Sequence, residues 1–167
     1  MYKFFSYLIF LMKSTNHHGV HSPFVYNLVT KCFYNKNNHA SQSGIDEYSK
    51  SISLNPKALS LLNRIINYFK EEKKEYKIGL YNNLQPDLVY DLIFVNSPLN
   101  LNLKKVINHG NNNTLVVINN IHSKSHNNNA WNIVCNSPYV KVSIDTFTLG
   151  LVFFRKEQAK EHFIIRV

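Results

Sequence analysis

Three histidines, His17, His18 and His21, fall within five positions of "NHHGVHSPFV" (16–25). Imidazoles that close can ligate a metal, move a proton or simply pack. His17 and His21 are four apart, which suits one face of a helix. Gly19 lies between them, however, and no carboxylate or thiol is near in sequence, so no metal is expected from this cluster. A second candidate is His122, in "VVINNIHS" (116–123), directly after a run of β-forming residues. A neutral imidazole there has the chemistry of a general base toward an acceptor hydroxyl; the competing reading is a loop histidine held by hydrogen bonds. Cys32 and Cys135 are far apart and lack C-x-x-C spacing, so they read as two buried, reduced thiols. Glu157, Lys160 and Glu161 read as a solvated face.

These side chains need elements to position them. Residues 3–13 form a short apolar helix between Lys3 and Lys13, well below the roughly 20 apolar residues of a membrane span. That leaves a helix docked on the core or lying at an interface. Ser22 is a natural N-cap and Pro23 fits the first helical position. Phe24, Leu28, Val29, Cys32 and Phe33 then make an apolar stripe. Residues 35–52 are polar and irregular. Helical spacing returns over 56–74, where Leu59, Leu62, Ile65, Ile66 and Phe69 share a face. Beyond it come short β-rich runs: "YKIGLY" (76–81), "DLIFVN" (91–96), "TLVVIN" (114–119), "VKVSIDTF" (140–147) and "GLVFFRK" (150–156). Helix-capable stretches at 99–109 and 126–136 separate them. Strand–helix alternation predicts a mostly parallel sheet covered by helices. The short connection "TLG" makes the last two of these strands an antiparallel hairpin, and "HFIIRV" is a further edge strand. Residues 1–52 are read as a helical arm and loop and 53–167 as a partial α/β domain, together one compact unit.

The segments "HHGVHSPFVYNLV", "INNIHS", "AWNIV" and "VKVSIDTFTLGLVFFRKEQAKEHFIIRV" together resemble bacterial class I S-adenosylmethionine-dependent methyltransferases of the type that carries an H-G-x-H-S-P-F-V segment. The match is close over 17–30 and 114–167. It implies a Rossmann-like sheet of seven strands with S-adenosylmethionine at the carboxyl ends of the first strands. A Gly-rich turn would follow the first strand, an acid would hold the ribose, and acids after the fourth and fifth strands would face the methionine end or a divalent metal. His18 and His21 are the histidines that match the segment.

The chain departs from that pattern internally. Only about sixteen residues separate the helix end near Lys74 from Asp91, against about thirty for one βαβ unit. One glycine, Gly79, lies there, and no L-E-x-G-x-x-x-G turn. Asn96 and Ser97 stand where an acid and a glycine are favoured, and Asn119 and Asn120 where two aspartates are. Asn96, Asn119 and Asn120 are therefore read as vestigial cofactor positions. An amide oxygen brings no charge to a cation, so no metal is expected and S-adenosylmethionine is expected not to bind in the usual way. The fold expected is a truncated Rossmann-like methyltransferase sheet, mostly parallel, with a carboxyl-terminal antiparallel hairpin, preceded by helices.

The function expected is that of a shortened, degenerate methyltransferase-like protein. Alternatives are an active enzyme with a rebuilt or partner-completed cofactor site, and a non-catalytic module for an anionic partner. The last follows from a formal charge of +9, from 19 Lys and Arg against 10 Asp and Glu, although these residues are scattered rather than clustered as a nucleic-acid site would have them. Losing the first half of the sheet would expose an edge beside the fourth strand, where residues 76–81 patch it or a second copy pairs. With no span and no small-residue cleavage site, a cytoplasmic protein is expected.

Overall fold

The computed structural model describes residues 1–35, 52–71, 73 and 75–167. It divides into two compact units, one made of Met1–Ser14 with Lys77–Arg166 and the other of Thr15–Tyr76 with Val167. Of the loop expected over 35–52, residues 36–51 lie outside the described residues.

The first unit is a mixed α/β structure around a six-stranded sheet. Its strands are β1 (Ile78–Leu80), β2 (Leu92–Val95), β3 (Leu115–Asn119), β4 (Val142–Asp145), β5 (Leu149–Phe153) and β6 (Glu161–Ile164), in spatial order β1-β2-β3-β5-β4-β6. β1, β2 and β3 pair in parallel, as do β4 and β6. β5 alone runs the other way and inserts between β3 and β4. The hairpin thus forms as expected, but its return strand, not its outgoing one, completes the pairing with β3. β1 patches the outer side of β2, and β6 supplies the opposite edge. Strands β2 to β5 are buried along their whole length, the mark of strands covered on both faces.

The helices of this unit are α1 (Tyr2–Lys13), α4 (Leu103–Asn108) and α5 (Ser125–Asn136). Asn102 caps α4, its side chain accepting from the Lys104 and Lys105 amides. Trp131 of α5 is buried in the core beside Val116, Ile118, Ile121 and Val152, as expected of a packing residue. A Cβ on Gly150 of β5 would lie 2.7 Å from the Trp131 ring, so only glycine lets that indole seat against the strand.

In the second unit, α2 (Pro23–Asn27) starts at Ser22, whose hydroxyl accepts from the Val25 amide at 3.4 Å. It continues as a π-helical turn over Leu28–Phe33, which shifts the buried set: Val25, Leu28, Val29, Cys32 and Phe33 are inside and Phe24 is half-buried. α3 (Pro56–Lys70) is capped by Asn55 and buries Ala58, Leu61, Leu62, Ile65 and Ile66, leaving Leu59 and Phe69 half-buried. Arg64 of α3 donates to the Phe33 carbonyl. Cys32 is buried and free, and burial pushes its thiol up to about 12.

Candidate functional site

Because β2, β3 and β4 run in one direction, their carboxyl ends lie along one edge of the sheet. There β2 ends in Asn96 and Ser97, β3 in Asn119 and Asn120, and β4 in Asp145. The structure gathers the asparagines singled out from sequence, but as loop fasteners. Asn119, buried at the last position of β3, accepts from the Asn120 amide at 2.8 Å. Asn120 adopts a left-handed backbone, φ 61°, which asparagine tolerates better than most residues. Its side chain donates to the Asn96 carbonyl at 3.1 Å, tying the β3 turn to the end of β2. Its own carbonyl accepts from Ser123, from the amide at 3.2 Å and the hydroxyl at 3.0 Å. Asn127 of α5 donates to the Ser97 hydroxyl oxygen at 3.1 Å, which also accepts from the Leu99 amide.

His122 is the most constrained of the candidates. Its Nε2 lies 2.6 Å from Asp145 Oδ2, so that nitrogen carries the proton and the carboxylate accepts it. Its Nδ1 accepts from Asn128 Nδ2 at 3.0 Å and faces Ser6 Oγ of α1 at 2.9 Å. The ring stacks on Phe147, centroids 5.0 Å apart and planes 12° apart, while Phe10 meets its edge. The His122 and Asp145 side chains are 11% and 5% exposed. The other Asp145 oxygen accepts from the Phe147 amide at 2.7 Å. That bond holds Phe147 at φ 67°, a costly conformation for a bulky residue.

Ser6, His122 and Asp145 form a hydroxyl–imidazole–carboxylate chain, the order of groups that activates a serine nucleophile. Two features turn it into a strut. Ser6 is only 9% exposed, on the inner side of α1, and the Asn128 amide shares the Nδ1 lone pair that would take the serine proton. Both ring nitrogens are engaged by the protein's own groups. Sequence reasoning missed Ser6 and Asp145. Their signals were modest: Ser6 is the one polar residue between Phe4 and Met12, and Asp145 is an acid closing an apolar strand.

The mouth of β1, where a nucleoside cofactor would need a bare backbone turn, is packed. A Cβ on Gly79 would sit 2.7 Å from both Leu84 Cδ2 and Tyr90 Cδ1. Tyr90 accepts from the Gln85 amide at 3.1 Å, and Tyr81 accepts from the Asn102 amide at 2.9 Å. Lys105 lies 4.7 Å over the Tyr81 ring and donates to the Tyr81 carbonyl. Of the acids between β1 and β2, Asp87 is exposed and Asp91 accepts from the Lys77 amide. Among the described residues, no three His, Cys, Asp or Glu side chains converge as a metal site would require.

Nearby, His162 of β6 faces the Ser143 hydroxyl at 2.8 Å. Although the residue is exposed over part of its surface, burial of its ring holds its pKa below the usual histidine range; Asp145 opposes that shift and His122 adds to it. Cys135 is free and half-buried rather than buried, and burial pushes its thiol up to about 12, against a hydrogen bond with Ser143 that lowers it. At the opposite end of the sheet, Ile107, Asn111, Tyr139, Lys141, Phe154 and Lys156 help line an open cleft of about 370 Å³.

His17, His18 and His21 belong to the second unit. His17 sits in a 3₁₀ turn (His17–Gly19), its ring 4.0 Å from His18 and edge-on to Tyr26 and Tyr34, while His18 and His21 are exposed. No helix among the described residues is long and apolar enough to cross a membrane. No family model, no curated protein and no solved structure matches this chain.

Proposed function

We propose that this protein is a degenerate relative of class I S-adenosylmethionine-dependent methyltransferases, in which the ligand end of the sheet has become packed structure and methyl transfer has been lost. The observation that carries the reading is His122. It occupies the position of a general base after the strand that ends in Asn119, yet Asp145, Asn128 and Ser6 engage both its nitrogens and Phe147 covers its face. A base must reach an acceptor proton within hydrogen-bonding distance, and this ring has no free nitrogen to offer one. The residues at the mouth of β1 do not fit S-adenosylmethionine either: Leu84 and Tyr90 fill the space over Gly79, and Asp91 is taken up by the Lys77 amide. The return strand β5, inserted between β3 and β4, supports the ancestry, because a parallel sheet closed by an antiparallel hairpin is the carboxyl half of the family's sheet.

Isothermal calorimetry of the whole chain with S-adenosylmethionine and S-adenosylhomocysteine tests the reading. No saturable heat is expected. Micromolar binding of either would overturn it in favour of an active enzyme with a rebuilt site. Self-pairing through the sheet edge belongs to the same reading only in a weakened form, because the edge strand β1 is three residues long and short edges blunt strand addition.

A further inference from the structure

We propose that the outward face of α1 seats this protein on an anionic lipid surface. Most of the helix points away from the sheet it docks on. Ser6 and Phe10 are its buried residues, meeting His122 and Phe147. On the other side Phe4, Phe5, Leu8, Ile9 and Met12 are all exposed, Phe4 by 63% and Met12 by 88%. At 100° per residue these side chains span roughly 140° of the helix circumference with no polar residue among them. A contiguous apolar face of that kind marks a contact surface.

Charge selects the occupant. α1 carries Lys3 and Lys13 near its two ends and no acid, and the first acidic residue in the chain is Asp46. A second copy laid against this face would bring no carboxylate on its own helix to meet either lysine, so that contact has no charge complementarity. An anionic bilayer surface complements both lysines and accepts the apolar face between them. Twelve residues make a helix about 18 Å long, short of the roughly 30 Å hydrocarbon core, so the helix lies in the interface plane. Tyr2 and Tyr7, partly exposed along its length, suit the headgroup level, where an aromatic ring meets water at one end. The lysine stems can extend past the docked side to reach phosphates.

The test is co-sedimentation of the whole chain with vesicles of phosphatidylcholine alone and of phosphatidylcholine containing phosphatidylserine. Partition onto the anionic vesicles is expected to be about tenfold stronger and to weaken as salt rises. Leu8→Asp is expected to abolish binding, and Lys3→Glu with Lys13→Glu to remove the preference for anionic lipid, with circular dichroism and thermal midpoint close to the parent. Because Leu8→Asp also places a charge on the helix, Met12→Ser serves as a milder second variant, expected to weaken partition severalfold. Absence of binding, or equal partition onto both vesicle types, overturns the proposal. So does a dimer in solution that Leu8→Asp dissociates while vesicles bind neither form, which would make a second copy the occupant.

Discussion

The two ends of the sheet contrast in how they use polar side chains. At the carboxyl ends of β2, β3 and β4, the Asn119 and Asn120 side chains tie down the neighbouring backbone, at Asn120 and Asn96 respectively, and His122 is paired with Asp145. At the opposite end, Asn111, Tyr139, Lys141 and Lys156 border an open cleft. The imidazole and carboxylate best suited to chemistry are nearly buried, whereas the cleft lies at the other end of the sheet. The comparison teaches that position at a strand end does not by itself make a site. What matters is whether the donors and acceptors are left over after the fold has used them.

The comparison can be broken most directly at His122. Replacing it by alanine strips the Asp145 carboxylate of its ring donor and removes the stack on Phe147, and the sheet unit is expected to lose about 3 kcal/mol in denaturant unfolding. A loss below about 1 kcal/mol would mean the imidazole is not the strut described. Gly79→Ala sharpens the point at the mouth of β1, since its Cβ would meet Leu84 and Tyr90. A destabilisation of about 2 kcal/mol is expected from overpacking, whereas an open ligand turn would leave stability untouched. Ser6→Ala, which removes one of two donors to the same nitrogen, is expected to cost about 1 kcal/mol. At the other end, Tyr139→Ser on the cleft rim is expected to change stability by less than about 0.5 kcal/mol.

The smallest expected effect is one of pH. His162 has its pKa lowered in the folded chain, chiefly by burial, so the unfolded chain binds the proton more readily. Stability is therefore full above the ordinary histidine range and declines as pH falls through it toward the depressed native value. Thermal midpoints measured from neutral to mildly acidic pH should fall, and His162→Gln should flatten part of that fall. Identical pH profiles for both forms would remove His162 from the account.

Much of the fold was legible in the sequence because its signals are local. Ser22 before Pro23, the apolar spacing after Pro56, and the β-branched runs at 92–95 and 115–119 each declare their element within a few residues. The site was legible only in part. His122 and the three asparagines were placed correctly at strand ends, yet their roles depend on partners that no local pattern links to them. Asp145 is 23 positions from His122 and Ser6 is 116. Whether an imidazole has a free nitrogen is decided by which strand returns beside which, and here that rests on β5 entering between β3 and β4. The same lack explains α1: its apolar run was readable, while the fact that only Ser6 and Phe10 are buried depends on Phe147, a residue held in an unusual backbone conformation at the far end of the chain.

The separation of Ser6 from His122 also bears on how the molecule comes into being. An apolar helix made early must wait through the synthesis of more than a hundred residues before its seat on His122, Asp145 and Phe147 exists. Contacts that distant in sequence close slowly and late. During that wait the whole circumference of α1 is uncovered, the docking side as well as the side that stays exposed afterwards. An apolar helix whose seat is made so much later is open to non-specific association in that interval, and whatever shelters it there shapes the yield of folded chain.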